Sequence, residues 1–203
     1  AISGVITDGG KFKWDTEKYP GMKDFKKFGP FAYTAKLRNG LFRNTGACLS
    51  PQNAFYNSIG METLGLRMER VCDNAKTLAQ FFATEYSDIE VNYPGLAGSK
   101  WHNIATEQFG DKFGGIITIR TGNKKRAFGI IDALKLPLIV SNIGDTKTLV
   151  IHPESTLNVH STQEEKETAG VFDDLIRISV GIEDIEDLID DFKQAIESVK
   201  DVY

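Results

Sequence analysis

From Asp174 to Gly181 the apolar side chains Leu175, Ile176, Ile178 and Val180 crowd around a single Arg177, and β-branched residues dominate. This pattern predicts a short, largely buried strand. Further extended pieces are expected at 89–93, 115–120, 138–140 and 149–151, with helices at 102–109 and 125–134 between them. Ser161 followed by Glu164 has the form of a capping box, predicting a helix to about Ala169 that Gly170 ends. Leu188, Ile189, Phe192, Ile196 and Val199 form the stripe of a last helix. Glu183 and Asp184 stand at its start, where the helix dipole favours acidic groups. The run Glu183, Asp184, Glu186, Asp187, Asp190 and Asp191 reads as mostly a solvated face. From Ile89 onward the pattern is a small open sheet covered by helices on one side, an α+β layer.

Upstream, Ser50 and Pro51 open a helix as N-cap and first-turn residue. It is expected to run to about Thr84, with a break or bend at Gly60. Leu64, Met68, Val71, Ala75, Leu78 and Phe82 mark its buried face, and Arg67 and Arg70 beside it are expected to pair with Glu62, Glu69 or Asp73. Ala1 to Thr7 reads as a strand stopped by the turn Asp8-Gly9-Gly10. Lys11 to Asn44 scatters aromatic residues among Lys and Gly, as in a loop lying over a core or a partner.

Composition narrows the class. With 203 residues, 41% apolar and 26% charged, the chain is long enough for a real core in one large or two small domains. A net charge of -4 and the lack of a basic patch with interleaved aromatics argue against a nucleic-acid partner. No apolar run reaches the length of a bilayer span. Cys48 and Cys72, with no secretory signal, read as reduced thiols of a cytoplasmic protein.

Arg177 carries the most chemistry. A guanidinium in an apolar strand needs an anion, and its planar fork matches a carboxylate bidentately. From the strand alone two readings stand: a carboxylate clamp for a ligand, or a structural ion pair with one of the chain's acidic residues. His152 and His160 have no usual zinc spacing and no cysteine cluster beside them, so no metal is assigned.

The run SNIGDTKTLVIHPEST (141–156), followed by a helix and LIRISVGIEDIEDLIDDF (175–192), resembles the C-terminal part of the Cys/Met metabolism enzymes that use pyridoxal 5'-phosphate (PLP). GACLSPQNAFYNSIGMETLGLRMERVCDNA (46–75), VNYPGL (91–96) and the segment 1–13 extend the resemblance over nearly the whole chain. Within the family the wording is most similar to the O-acetylhomoserine sulfhydrylase branch. The resemblance implies an α/β protein of PLP-dependent transferase fold type I. Residues 1–50 would be the end of the PLP-binding large domain with an aromatic-rich segment, 51–84 a connecting helix, and 85–203 an α+β C-terminal small domain.

By the same resemblance Arg177 would grip the α-carboxylate of the amino-acid substrate, and Ser141 would sit beside it, helping to hold the cofactor's lysine or the substrate. The lysine that carries PLP is expected just before Ala1, so the chain reads as the C-terminal half of an enzyme, inactive alone. The intact enzyme would make homocysteine from O-acetylhomoserine and sulfide as a homotetramer. Two other readings stay open: a sibling enzyme acting on cystathionine or methionine, and a non-catalytic small-domain module.

Overall fold

In a computed structural model, residues 1–199 are described; the last four residues of the domain expected to run to 203 lie outside them. The chain divides into two compact units, Ala1–Glu62 and Thr63–Tyr203.

In the first unit, residues 1–7 form no strand, because no described segment offers them a ladder, and Ile2 and Val5 are exposed. The turn after them is present: the Gly10 amide donates to Asp8 Oδ1 at 3.0 Å, with Gly10 in left-handed conformation. The aromatic segment is more helical than a loop. A 3-10 stretch over Pro20–Phe31, kinked at Gly29 before Pro30, leads into α1 (Ala32–Leu37), a π-helical stretch (Arg38–Phe42) and α2 (Arg43–Thr45). Aromatic packing drives this compaction: Trp14 lies edge-on to Phe12 (4.7 Å between centroids) and Tyr19 (5.5 Å), and stacks on Tyr33 (5.9 Å). α3 (Pro51–Glu62) follows. The helix break falls at Thr63 rather than Gly60: Thr63 leaves helical dihedrals at the position before the next helix, while Gly60 stays helical.

The second unit begins with α4 (Leu64–Glu85), followed by β1 (Glu90–Asn92), α5 (His102–Phe109), β2 (Ile116–Arg120), α6 (Lys124–Ala133), β3 (Leu138–Ile139), β4 (Leu149–Ile151), α7 (Gln163–Thr168), β5 (Leu175–Ser179) and α8 (Ile185–Ser198). The strands form one sheet in the order β1-β2-β5-β4-β3, antiparallel except for the parallel β3–β4 pair. β5 is central, with β2 and β4 on either side. Its alternate residues Ile176 and Ile178 are fully buried in a core shared with Leu78 and Phe82 of α4, Ile130 of α6 and Leu188, Phe192 and Ile196 of α8. The stripe expected on α4 is buried from Val71 onward, whereas Leu64 and Met68 in its first turns are exposed. No helix among the described residues is long and apolar enough to cross a membrane.

Candidate active site

Because side chains alternate across a strand, the residues between the core positions of β5 point to the sheet's other face. These are Leu175, Arg177 and Ser179. In register, Arg177 stands beside Thr118 of β2 and Ile151 of β4, and Ser179 beside Ile116 and Leu149. Arg177 is half-buried, while Ser179 is 3% exposed. Toward the Leu175 end this face opens on a cleft of about 830 Å³ walled by Glu90, Asn92, Thr118 and Arg120. Toward the Ser179 end lies a pocket of about 200 Å³, walled by Ile143, Gly144 and Thr146.

The guanidinium of Arg177 meets no carboxylate. Its Nη2 donates to the carbonyl of Ser141 at 2.8 Å and to that of Asn142 at 3.4 Å. Among the described residues no acidic side chain pairs with it, and its buried Nε has no acceptor. Burial pushes its pKa below the usual arginine value, with no neighbouring charge to oppose the push. The structural ion pair open as one reading therefore finds no partner among the described residues. Arg120, two rungs along the same face, is different: its Nε donates to Asp174 Oδ1 at 2.9 Å and the guanidinium lies 4.0 Å over Phe172. Ser141 is brought to Arg177 through its backbone carbonyl rather than its hydroxyl.

The loop that carries Ser141 is bolted along its length. Ser179 Oγ accepts from the Gly144 amide at 3.2 Å, and Gly144 adopts a left-handed φ of 81°. The Ile182 amide donates to the Thr146 carbonyl at 2.9 Å, and Asp145 Oδ1 accepts from the Lys147 amide, the main cause of its lowered pKa. At the far end Glu183 Oε1 accepts from the Thr148 amide and Oε2 from the Thr148 hydroxyl. That hydroxyl in turn accepts from the Gly181 amide. Asn74 of α4, 2% exposed, donates to the carbonyls of Gly181 and Glu183.

The acidic run is mostly a solvated face, as expected, with Asp184, Glu186, Asp187 and Asp190 exposed and two exceptions. Asp184 does cap α8, accepting from the Glu186 amide, but Glu183 turns inward to the loop. Asp191 is 6% exposed and binds the amides of Lys135 and Leu136. Arg70 meets Asp184 at 3.8 Å, while Asp73, expected near it, pairs with Lys112. The only local signal for the knot was a buried strand running straight into Gly-Ile-Glu, since its partners lie 33 and 35 positions upstream.

His152 is occupied structurally. Its Nδ1 accepts from the Ser155 amide at 3.2 Å, so the ring hydrogen is assigned to Nε2, 2.7 Å from the Asp173 carbonyl. His160 lies exposed on the loop after it.

As to PLP, the residues present suit one part of its chemistry. A half-buried guanidinium that no acidic side chain pairs with among the described residues fits the carboxylate of an amino acid held by the cofactor. No residue of the chain is assigned to its ring or phosphate.

The sequence profile of the Cys/Met metabolism PLP-dependent enzymes matches residues 1–197. The homocysteine synthase of Schizosaccharomyces pombe is 38% identical over 97% of this chain and 49% of its own length. O-acetyl-L-homoserine sulfhydrylase 1 of Thermus thermophilus is 37% identical over 96% of this chain and 49% of its own. Among solved structures, the O-acetylhomoserine sulfhydrylase of Wolinella succinogenes superposes with a TM-score of 0.72 at 36% identity, covering 92% of this chain and 50% of that one. A Campylobacter jejuni protein solved with N'-pyridoxyl-lysine-5'-monophosphate gives a TM-score of 0.76 at 38% identity, over 81% of this chain and 39% of that one. The chain spans about half the length of the curated relatives it matches.

Proposed function

Since the chain belongs to the Cys/Met metabolism PLP-dependent enzyme family, we propose that it supplies the substrate-carboxylate side of an enzyme that makes homocysteine from O-acetylhomoserine and sulfide. The observation that carries this reading is Arg177: a half-buried guanidinium on the central strand, oriented by two carbonyls, with no acidic side chain paired to it among the described residues. Relatives that act on O-acetylhomoserine support the choice of substrate. A cytoplasmic homotetramer is part of the proposal; the exposed apolar side chains of the first unit, such as Phe31 and Leu41, are of the kind that subunits cover.

PLP, when bound, supplies the electron sink for proton loss and leaving-group departure at the amino acid. This chain's residues bind and orient. The guanidinium takes the substrate carboxylate through hydrogens that the two carbonyls leave free, while the carbonyls of Ser141 and Asn142 hold Nη2. Fixing the carboxylate fixes the direction of the Cα–H bond, which is a positioning gain. Thr118 and Ile151 stand beside Arg177 in register on the two neighbouring strands.

Two charge-assisted hydrogen bonds at about 1.5–3 kcal/mol each put the loss in kcat/KM on Arg177→Ala at about a hundredfold or more. The assay is homocysteine formation by the holoenzyme over a range of O-acetylhomoserine, with cystathionine and methionine as competing substrates. Kinetics within about twofold of the parent would refute the carboxylate role.

A further inference from the structure

Ser179 lies two residues beyond Arg177 on the same face of β5 and is a buried residue. Its Oγ accepts from the Gly144 amide in the middle of the loop whose first two carbonyls, of Ser141 and Asn142, hold Arg177 Nη2. One strand thus touches one loop at two points two residues apart: Arg177 donates to its start and Ser179 accepts from its turn. β3, paired with β4, holds the chain just before those two carbonyls, and the Ser179 contact at Gly144, φ 81°, holds it just after them.

We propose that Ser179 is a positioning residue for the carboxylate reaction described above: by holding Gly144 it sets the two carbonyls that aim the Arg177 guanidinium. It touches no substrate. Its action runs through the loop, and the Glu183–Thr148 clasp at the loop's other end limits how far the chain can drift when Ser179 is lost. The inference rests on the substrate-carboxylate reading of Arg177.

The test is Ser179→Ala in the holoenzyme, with Ser179→Cys as a partial hydroxyl substitute and Arg177→Ala as reference. Hydrogen exchange of the 141–147 segment and steady-state kinetics are read together. Loss of one buried hydrogen bond predicts about tenfold faster exchange in that segment with the β5 amides unchanged. The KM for O-acetylhomoserine should rise about fivefold, with KM for sulfide unmoved and partial recovery in Ser179→Cys. Unchanged exchange in Ser179→Ala overturns the proposal. So does faster exchange with unchanged KM while Arg177→Ala is impaired, because the loop is then loosened without consequence for the guanidinium. If Arg177→Ala itself leaves KM unchanged, the carboxylate reading fails and the positioning role falls with it.

Discussion

Gly181 joins β5 to α8 at a point where three chain segments meet, and Gly181→Ala is the most exposing single change to that junction. A Cβ there would lie 2.5 Å from Glu183 Oε2, 2.5 Å from the Thr146 carbonyl oxygen and 2.6 Å from the Lys147 carbonyl carbon. Gly181 φ is not left-handed, so the cost is steric. Nor can the residue step aside: its amide donates to Thr148 Oγ1 and its carbonyl accepts from Asn74 Nδ2. The Thr146 carbonyl is itself held by the Ile182 amide. Glu183 can swing out, but this leaves the Thr148 amide and hydroxyl proton without their acceptor and does not relieve the contacts with the Thr146 and Lys147 backbone. Overpacking of about 1–3 kcal/mol and the loss of charged hydrogen bonds of about 1.5–3 kcal/mol together put the destabilisation at about 4 kcal/mol. With a urea slope of about 2 kcal/mol/M, the unfolding midpoint falls by about 2 M. Far-UV circular dichroism in urea reads this, with Gly65→Ala in α4, which meets nothing within 4 Å, as the control expected at or slightly above the parent midpoint. A midpoint shift below about 0.5 M for Gly181→Ala would refute the steric argument.

Asp191→Ala removes the acceptor of two backbone amides, Lys135 and Leu136, and of Gln194 Nε2; it should cost about 3 kcal/mol in urea unfolding, and Asp191→Asn, which keeps one acceptor oxygen, about half of that. Hydrogen bonds from Lys124 and then Lys166 hold the Glu154 carboxyl down from its ordinary 4.5 to about 2. A depressed carboxyl pKa contributes stability that is present above pH 4.5 and is lost as pH falls toward 2. The gap in thermal midpoint between parent and Glu154→Gln should therefore be widest at neutral pH and close over that window; a gap that does not change with pH would sink the assignment.

The strands and the stripe of α8 were legible because each follows from a local period: β4 and α5 begin and end where the pattern put them. What escaped depended on partners distant in sequence. Both Ser161 with Glu164 and Thr162 with Glu165 satisfy the capping-box spacing. The second pair forms the box, because the Ser161 amide is already committed to the Asn158 carbonyl. Gly60 was the stronger helix breaker by propensity, but the chain leaves the helix at Thr63, whose oxygen accepts from Arg67 Nε. The inward turns of Glu183 and Asp191 were not readable from an acidic run, since Thr148 and Lys135 lie 35 and 56 residues away. For the site, Arg177 stood out as one charge in an apolar strand. That Ser141 meets it through a carbonyl, and that Ser179 ties the same loop, were hidden because backbone contacts leave no trace in residue type.

Arginine on a strand and arginine on a loop solve different problems. β5 is the central strand, and Ile176 and Ile178 on either side of Arg177 are fully buried, so the Cα of Arg177 is as fixed as any position in this unit. A long side chain still has four rotors, and strand rigidity does not set where its fork points. The loop does that, with two carbonyls that orient the guanidinium but leave its charge uncompensated. A carboxylate at that position would have done both and filled the site. The arrangement therefore makes the fork rigid while keeping it in need of an anion, which is what preorganised recognition of a carboxylate requires. It also sets a limit on specificity. The α-carboxylate is common to O-acetylhomoserine, cystathionine and methionine, so on the proposed role Arg177 would position all three alike. Discrimination among them must come from groups that meet the distal end of the substrate, and substitutions at Arg177 should weaken every substrate by a similar factor.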